Sequence, residues 1–339
     1  PFYRNAEGLA ADVKNYGEWM REKAWERIGH LYPQVDLSKE YGGGKATVIA
    51  WIWARTVPSP DPAFSDVQVP MASSFLLSSK AGKEAWVEPL VDRRAKTITY
   101  RIRRGGTKAE LELAKEGTKA GRGANFRCLI SDTAITPDYV KAKGKAGEMG
   151  QTLIAIVAEG NRGRAYIAPA DGDEILAMSA KPTWKPETSL PNDPRNFWTV
   201  DYGLTTFGDL FTDRQLASLN TFSDLVHEAR MQVQADALAA NVSPDDTALS
   251  DGGKGAKAYA EAVSIYLAFL VGQLANHCST VCGWNSPHQQ MRSTFSRQSL
   301  PMTWDFAEVN VFSESSGSYH SLFTRMVKGF EAIGSSSQK

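Results

Sequence analysis

A proline-rich segment divides this sequence into two parts with different hydrophobic periodicity. Residues 182–200 contain four prolines, at positions 182, 186, 191 and 194. Proline lacks the backbone N–H that helices and inner strands use, so we expect this segment to be a connection. Short apolar runs typical of strands precede it, and long stripes with helical spacing follow it. The pattern predicts an α+β fold with two subdomains, residues 1–181 and 205–333, joined by a connecting segment at 182–204.

The N-terminal part is predicted to combine one long helix with small antiparallel sheets. Apolar residues at steps of three and four, such as Val13, Tyr16 and Met20, indicate a helix over residues 7–31. A short helix that opens with Pro137 is expected at 136–144, and a turn between Gly160 and Gly163 is expected to join two strands. The predicted strands are 46–56, 73–78, 85–91, 97–103, 152–158 and 164–168.

The C-terminal part is predicted to be mainly helical. Thr212 and Gln215 have the spacing of a capping box, and a long apolar stripe follows them. Residues 258–275 are strongly apolar but contain Glu261 and Gln273, so they indicate a buried helix and not a membrane span. The remaining predictions are helices at 289–298 and 319–333 and a flexible tail at 334–339.

Composition places the chain among ordinary globular proteins. Hydrophobic residues make up 42% and charged residues 22%, values that exclude a disordered or fibrous chain. Three cysteines are an odd number for a disulfide framework, and no leader pattern opens the sequence, so we expect a cytoplasmic location without a membrane partner. The first residue is Pro1, which suggests a piece of a longer polypeptide.

Positive charge is concentrated in one stretch of an otherwise neutral chain. Residues 93–127 contain eleven Lys and Arg against three Glu, a local net charge of +8. Such a stretch can contact nucleic-acid phosphates, or it can simply be a solvated face, and both interpretations stay open. The candidate DNA contacts are Arg93, Arg94, Arg101, Arg103, Arg104, Arg122 and Arg127.

The sequence contains no recognisable self-contained active site. Cys278 and Cys282, flanked by His277 and His288, have poor spacing for zinc and are better explained as buried structural cysteines. The Gly42 to Gly44 run follows a helix and precedes a strand, the reverse of the order in a phosphate-binding loop. We therefore predict no catalytic residue and no metal ligand in this chain.

Residues 300–312, LPMTWDFAEVNVF, mix aromatic, acidic and amide side chains without clear periodicity. They predict an irregular loop that either packs against the protein or lines a site, and composition alone does not choose between these. Its candidate functional residues are Trp304, Asp305, Glu308 and Asn310.

Several long segments resemble the central region of the large adenine-specific DNA methylases, some of which are associated with phage defence. The segments are GLAADVKNYGEWM (8–20), RIGHLYP (27–33), TVIAWIWARTV (47–57), GEMGQTLIAIVAEGNRGRAYIAP (147–169), YGLTTFGDLFTDRQLASLNTFSDLV (202–226) and LPMTWDFAEVNVFSESSG (300–317). In that family a D-P-F-x-G-G-G cofactor motif lies upstream of this region and a D-P-P-Y catalytic motif lies downstream, and neither string occurs here.

The resemblance implies that this chain is an insert between the two halves of a methyltransferase site. S-adenosylmethionine is then the cofactor of the full-length parent, and this chain binds none alone. The implied partners are DNA, the flanking methyltransferase halves and companion defence proteins. The insert would contact DNA or shape the target cleft. The alternative is a structural module that docks companion subunits without touching DNA.

The resemblance also implies a degenerate zinc ribbon. The four family ligand positions are occupied here by Ser59, Phe64, Cys128 and Ser131. One thiolate cannot hold tetrahedral zinc, so we expect no metal to bind. The ribbon shape is expected to persist through packing, with Phe64 filling space.

Overall fold

The computed structural model describes residues 7–161, 163–193 and 195–336, and it confirms the predicted α+β fold. The helices in these ranges are α1 Glu7–Ile28, α2 Lys108–Glu116, α3 Pro137–Lys145, α4 Asp171–Met178, α5 Asp213–Ala239, α6 Ala256–Ala275 and α7 Tyr319–Ser336. The strands are β1 Val35–Asp36, β2 Lys45–Ala46, β3 Val48–Pro58, β4 Gln68–Met71, β5 Leu76–Ser78, β6 Ala85–Asp92, β7 Thr97–Arg104, β8 Phe126–Arg127, β9 Ala134–Ile135, β10 Gly150–Gly160, β11 Gly163–Ile167, β12 Trp284–Asn285, β13 Gln290–Met291 and β14 Asp305–Val309.

A five-stranded antiparallel sheet forms the centre of the molecule. Its strand order is β11-β10-β3-β14, and β4 pairs with the far end of β3. The first ten residues of β3 are buried, which explains its continuous run of β-branched and aromatic residues without polar alternation. The predicted turn between Gly160 and Gly163 is confirmed, since these two residues pair at the end of β10 and β11.

The two faces of the central sheet carry different chemistry. Trp51 and Trp53 lie on one face, where the guanidinium of Arg214 from α5 sits 3.8 Å from the Trp51 ring centroid. Asp305 of β14 lies on the opposite face and accepts a hydrogen bond from the backbone of Ser73, just before β5. Both faces are therefore covered, one by the helical part and one by the segment that leads into the smaller sheet.

Two short hairpins pack together at the positions that the family resemblance assigns to a degenerate zinc ribbon, and the pair is named the ribbon. The first joins β3 to β4 and the second joins β8 to β9. Ser59 Oγ in the first turn lies 3.3 Å from Cys128 Sγ in the second. Phe64 packs against the small apolar core between the hairpins, as predicted for a residue that fills space.

The third sheet supplies the surface that carries most of the basic stretch. It has the order β5-β6-β7, and β6 and β7 form a hairpin of eight paired residues. On its inner side Val87 pairs with Ile102, and on its outer side Glu88 pairs with Arg101. The alternation in β7 thus produces one apolar and one charged face, as the sequence predicts for a one-faced sheet.

The long helices pack on one another, with α1 touching α5, α6 and α7. The Thr212 capping box is confirmed, because Thr212 Oγ1 accepts from the Gln215 backbone and Gln215 Oε1 accepts from the Thr212 backbone. Helix α6 is, among the described residues, the one helix long and apolar enough to cross a membrane by length and composition. Its buried residues include Ala260, Val263, Leu267, Leu270 and Leu274, at steps of three and four, so the predicted buried helix is in fact buried along one face only.

Two predictions from the C-terminal half were wrong. Residues 289–298 do not form a helix: β13 pairs with β12, and the backbone of Thr294 donates to the Asn276 carbonyl, a long-range partner. Residues 300–312 are not wholly irregular, since β14 lies within them. The strand was obscured because buried Glu308 occupies a position where an apolar residue would normally mark the inward face.

Two helices, α2 and α4, were not predicted from the sequence. A signal for α2 was present, because Thr107 and Glu110 form a capping box.

The main apolar core contains residues from both sides of the 182–204 segment, from Val13 to Phe323. The division into two folding units therefore stays a prediction. The first three residues of the predicted tail, 334–336, belong to α7, and 337–339 lie outside the described residues.

Candidate nucleic-acid interface

The outer face of the β6–β7 hairpin presents two of the predicted DNA-contacting arginines. Arg101 and Arg103 are 52% and 46% exposed and lie two residues apart on the same face of β7. Both approach Glu88 on β6, at 2.7 Å and 3.7 Å. Exposed pairs of this kind contribute little to stability, roughly 0–1 kcal/mol, so phosphate oxygens can replace Glu88 at little cost.

The tip of the same hairpin carries Arg93 and Arg94 and rests against the ribbon. Arg93 Nε donates to the Ile130 carbonyl at 2.8 Å, which anchors the tip on the β8–β9 turn. Arg94 is exposed and forms no ion pair with any described residue. Arg127, on β8, lies 3.4 Å from Asp132. Arg93 and Arg127 thus both lie at the β8–β9 hairpin, and Asp132, from outside the basic stretch, accompanies Arg127.

The remaining two arginines are Arg122 and Arg104. Arg122 is exposed in the loop before β8. Arg104, at the end of β7, reaches Glu40 at 3.2 Å and lies over the Tyr41 ring with its guanidinium carbon 4.3 Å from the centroid. The structure therefore does not gather all seven candidates on one patch. The net charge of +8 overestimates the local positive charge, because Glu88 and Asp132 flank the counted stretch and Glu40 approaches it in space.

The four residues predicted from the 300–312 segment are engaged in the protein interior. Glu308 is 1% exposed and forms a bidentate ion pair with Arg214, with Nη2 to Oε2 at 2.8 Å and Nε to Oε1 at 2.9 Å. Trp53 Nε1 and Thr212 Oγ1 also donate to this carboxylate, at 2.8 Å and 2.9 Å. All of its acceptor positions face protein donors, so Glu308 orders the core and does not face a ligand.

Trp304, Asp305 and Asn310 make equally specific internal contacts. Trp304 packs edge-on against Phe126 of the ribbon, with ring centroids 5.2 Å apart. Burial raises the pKa of Asp305 to about 6, while the Ser73 backbone donates to its carboxylate at 2.5 Å. Asn310 Nδ2 donates to the Val48 carbonyl at 2.8 Å. Of the two interpretations left open for this segment, the structure supports internal packing.

The cysteines lie in an apolar and hydroxyl-rich interior. Cys278 and Cys282 are buried, and Cys282 Sγ lies 3.3 Å from Thr294 Oγ1. Burial raises the pKa of the Cys278 thiol well above its ordinary value, which favours the neutral thiol over a metal-binding thiolate. Among residues 7–161, 163–193 and 195–336, no group of three or more His, Cys, Asp or Glu is placed to hold a metal ion.

The ribbon positions do not fit zinc. Cys128 is the one thiol among them, Ser59 contributes a hydroxyl in contact with it, and Phe64 contributes a ring. Ser131 Oγ donates to Thr133 Oγ1 at 3.0 Å, so that hydroxyl is directed to a neighbour on its own turn. The four positions that the resemblance assigns to zinc ligands therefore do not supply a tetrahedral ligand set.

A cleft of about 720 Å³ lies where Arg104 ends β7, and it brings together chain segments that are far apart in the sequence. Lys39, Lys83, Arg104 and Arg164 line it together with Glu40 and Glu84. Lys39, Lys83 and Arg164 were not predicted from the sequence, because their proximity depends on how β7, β11 and the Lys39–Tyr41 turn assemble.

No protein-family model, curated protein or solved structure matches this chain.

Proposed function

We propose that this chain is the DNA-contacting central part of an S-adenosylmethionine-dependent, adenine-specific DNA methyltransferase located in the cytoplasm. The sequence resemblance suggests the reaction class, and the flanking polypeptide would supply the cofactor and catalytic motifs. The observation that carries the DNA-contacting role is the outer face of the β6–β7 hairpin. There Arg101 and Arg103 are exposed side by side, with Arg94 at the tip.

The hairpin has a suitable shape for following a duplex. From Thr97 to Arg104, β7 extends roughly 23 Å at ~3.3 Å per residue, which corresponds to about seven base-pair steps of ~3.4 Å. Its inner face is held by packing of Val87 and Ile102, so the arginines project from a rigid element. Enzymes that extrude a base need such a grip on the backbone beside the catalytic pocket.

Charge reversal on this face tests the proposal. The triple variant R94E/R101E/R103E changes the net charge by six units, and K14E/K254E/K328E makes the same change at exposed positions on or beside the helices. Anisotropy of a labelled 20-base-pair duplex would be titrated between about 50 and 200 mM salt, the range over which phosphate contacts weaken.

We expect the hairpin variant to bind more weakly and to show a shallower dependence of log K on log salt. The slope should fall by roughly 0.9 for each phosphate that the variant no longer neutralises, so by roughly 2 to 3 in total. The control variant should keep the slope of the unchanged chain. Equal slopes in the two variants would refute the assignment to the hairpin.

A docking role without DNA contact is the second candidate, and one observation favours it. The outer face of α6 exposes Ile265 and Phe269, by 44% and 64%, and Trp184 is 65% exposed. Exposed apolar groups of this size often mark contacts with other proteins. If the unchanged chain shows no salt-dependent DNA binding in the titration above, the docking role is the better account.

A further inference from the structure

The cleft described above has an excess of positive charge. Its lining includes four cations and two carboxylates, Glu40 and Glu84. Glu40 is bonded to Arg104, and Glu84 accepts from the Gly82 backbone at 3.1 Å. Lys39 forms no ion pair with any described residue, and the polar contact of the Arg164 side chain is to a neutral hydroxyl, Ser315 Oγ, at 3.1 Å. The cleft therefore offers cationic groups that its own acids do not neutralise.

Tyr41 holds Arg104 in position at the wall of this cleft. The Tyr41 hydroxyl accepts from the Tyr166 backbone N–H at 3.1 Å and donates to the Tyr166 carbonyl at 3.3 Å, which fixes its ring against β11. The Arg104 guanidinium lies over that ring. A guanidinium held on an aromatic face loses less conformational freedom when it binds an anion.

A buried tyrosine lines the cleft beside the cations. Tyr166 is 5% exposed, and its hydroxyl lies close to Ser78 and Gln289 without a well-aligned hydrogen bond to either. Ser78 and Gln289 bond to each other at 2.7 Å. Burial raises the pKa of Tyr166 to about 12, so it is a neutral hydroxyl that can donate a hydrogen bond. A bound anion in the cleft would offer this hydroxyl an additional acceptor.

Two glycines allow the walls to approach each other. Gly163 has φ +140°, and a Cβ there would lie 3.5 Å from Lys83 Nζ. A Cβ on Gly42, at φ +103°, would overlap the Asn161 side-chain amide. The Lys39–Tyr41 turn thus approaches the Asn161 side chain closely at Gly42, and both glycines have φ values that other residues rarely adopt.

We propose that this cleft binds a small phosphorylated molecule with at least two negative charges, such as a mono- or diphosphate ester. Lysine and arginine are the side chains that recognise phosphate oxygens, and about 720 Å³ accommodates a ligand of nucleotide size. This inference does not rest on the proposed DNA role, since Arg101 and Arg103 do not line the cleft.

Calorimetric titration with inorganic pyrophosphate at low salt tests the proposal. The chain should bind one equivalent saturably. The variant K39M/R164M should bind roughly 100-fold more weakly, at about tenfold for each charge-assisted hydrogen bond that is removed. The control K14M/K254M removes the same charge outside the cleft and should keep its affinity within about twofold. Circular dichroism would check folding, and K39M alone, at an exposed position, serves if the double variant fails to fold.

Absence of saturable pyrophosphate binding, or an equal decrease of affinity in the variant and the control, would overturn the proposal. A second arm distinguishes a small ligand from a DNA backbone. Here a 20-base-pair duplex without terminal phosphates competes with pyrophosphate. If the duplex displaces pyrophosphate, and K39M/R164M loses DNA binding to the same extent, the cleft belongs to a duplex interface and the small-ligand assignment fails. Unaffected pyrophosphate binding supports it.

Discussion

Glu308 lies at the centre of the molecule, where its carboxylate accepts hydrogen bonds from Arg214, Trp53 and Thr212. The Arg214 guanidinium also stacks on Trp51 and donates to the Leu31 carbonyl. Both charged groups are 1% exposed. A fully paired buried charge can be tolerated, but removal of one partner leaves the other without solvent or counter-charge.

We expect Glu308→Gln to lower the free energy of unfolding by about 3–5 kcal/mol, because Arg214 then remains buried without a counter-charge. Urea unfolding at pH 7 measures the decrease. Glu228→Gln breaks the partly exposed pair with Arg27, which has the same 2.8 Å separation, and should cost less than about 1 kcal/mol. Equal destabilisation of the two variants would show that the buried pair of Glu308 with Arg214 contributes no more to stability than the partly exposed pair of Glu228 with Arg27.

At the scale of elements, the two ribbon hairpins keep their relation without a metal. Their turns touch through Ser59 and Cys128, and an apolar core that includes Val57, Phe126 and Ile135 holds them together. In metal-bound ribbons the ion supplies much of the folding free energy. Here an apolar core holds the two hairpins together, and Phe64, at a position that the resemblance assigns to a ligand, packs against that core.

Restoring the missing thiols should therefore restore a metal site. We expect S59C/F64C/S131C, together with the native Cys128, to bind one Zn²⁺ tightly, because four thiolates on two facing turns form a tetrahedral set. Metal content after gel filtration measures this, and chelation should lower the melting temperature. The control S59C/F64C, with three thiols, should hold zinc more weakly. A quadruple-thiol variant without zinc would show that the turns are not arranged as a ribbon.

At the scale of the whole molecule, the central sheet links both halves of the chain. Strand β14 from the C-terminal half pairs with β3 from the N-terminal half over five residues. The ion pair of Glu308 with Arg214 covers Trp51 and Trp53 of the same β3. Each half therefore completes the core of the other.

A split chain tests whether the halves fold independently. We expect residues 1–204 alone to lack a cooperative unfolding transition, because β3 loses its β14 neighbour and the helical cover of its tryptophans. Co-expression with residues 205–339 should recover a complex that co-purifies and unfolds cooperatively, as the intact chain does. Cooperative unfolding of 1–204 by itself would support the division into two subdomains that the proline-rich segment predicts.

Local pattern by itself determined the α+β class, most strands of the N-terminal half and the long helices. The alternation in β7 and the Thr212 capping box each depend on residues two or three positions apart. Such short-range features can be recognised in the sequence. The resemblance to a known family added the ribbon positions, and the structure brings Ser59 and Cys128 into contact.

Tertiary structure alone decided the parts that depend on distant residues. The hydrogen bond between Trp53 and Glu308 joins positions 255 residues apart. It gives a partner to the buried side chain of Glu308 in β14, a strand within a segment that the sequence predicts to be a loop. Glu40 reaches Arg104, 64 residues away, only in the folded chain. The basic cleft is formed by cations at positions 39, 83, 104 and 164. Because these positions are far apart in the sequence, no local pattern predicts the cleft.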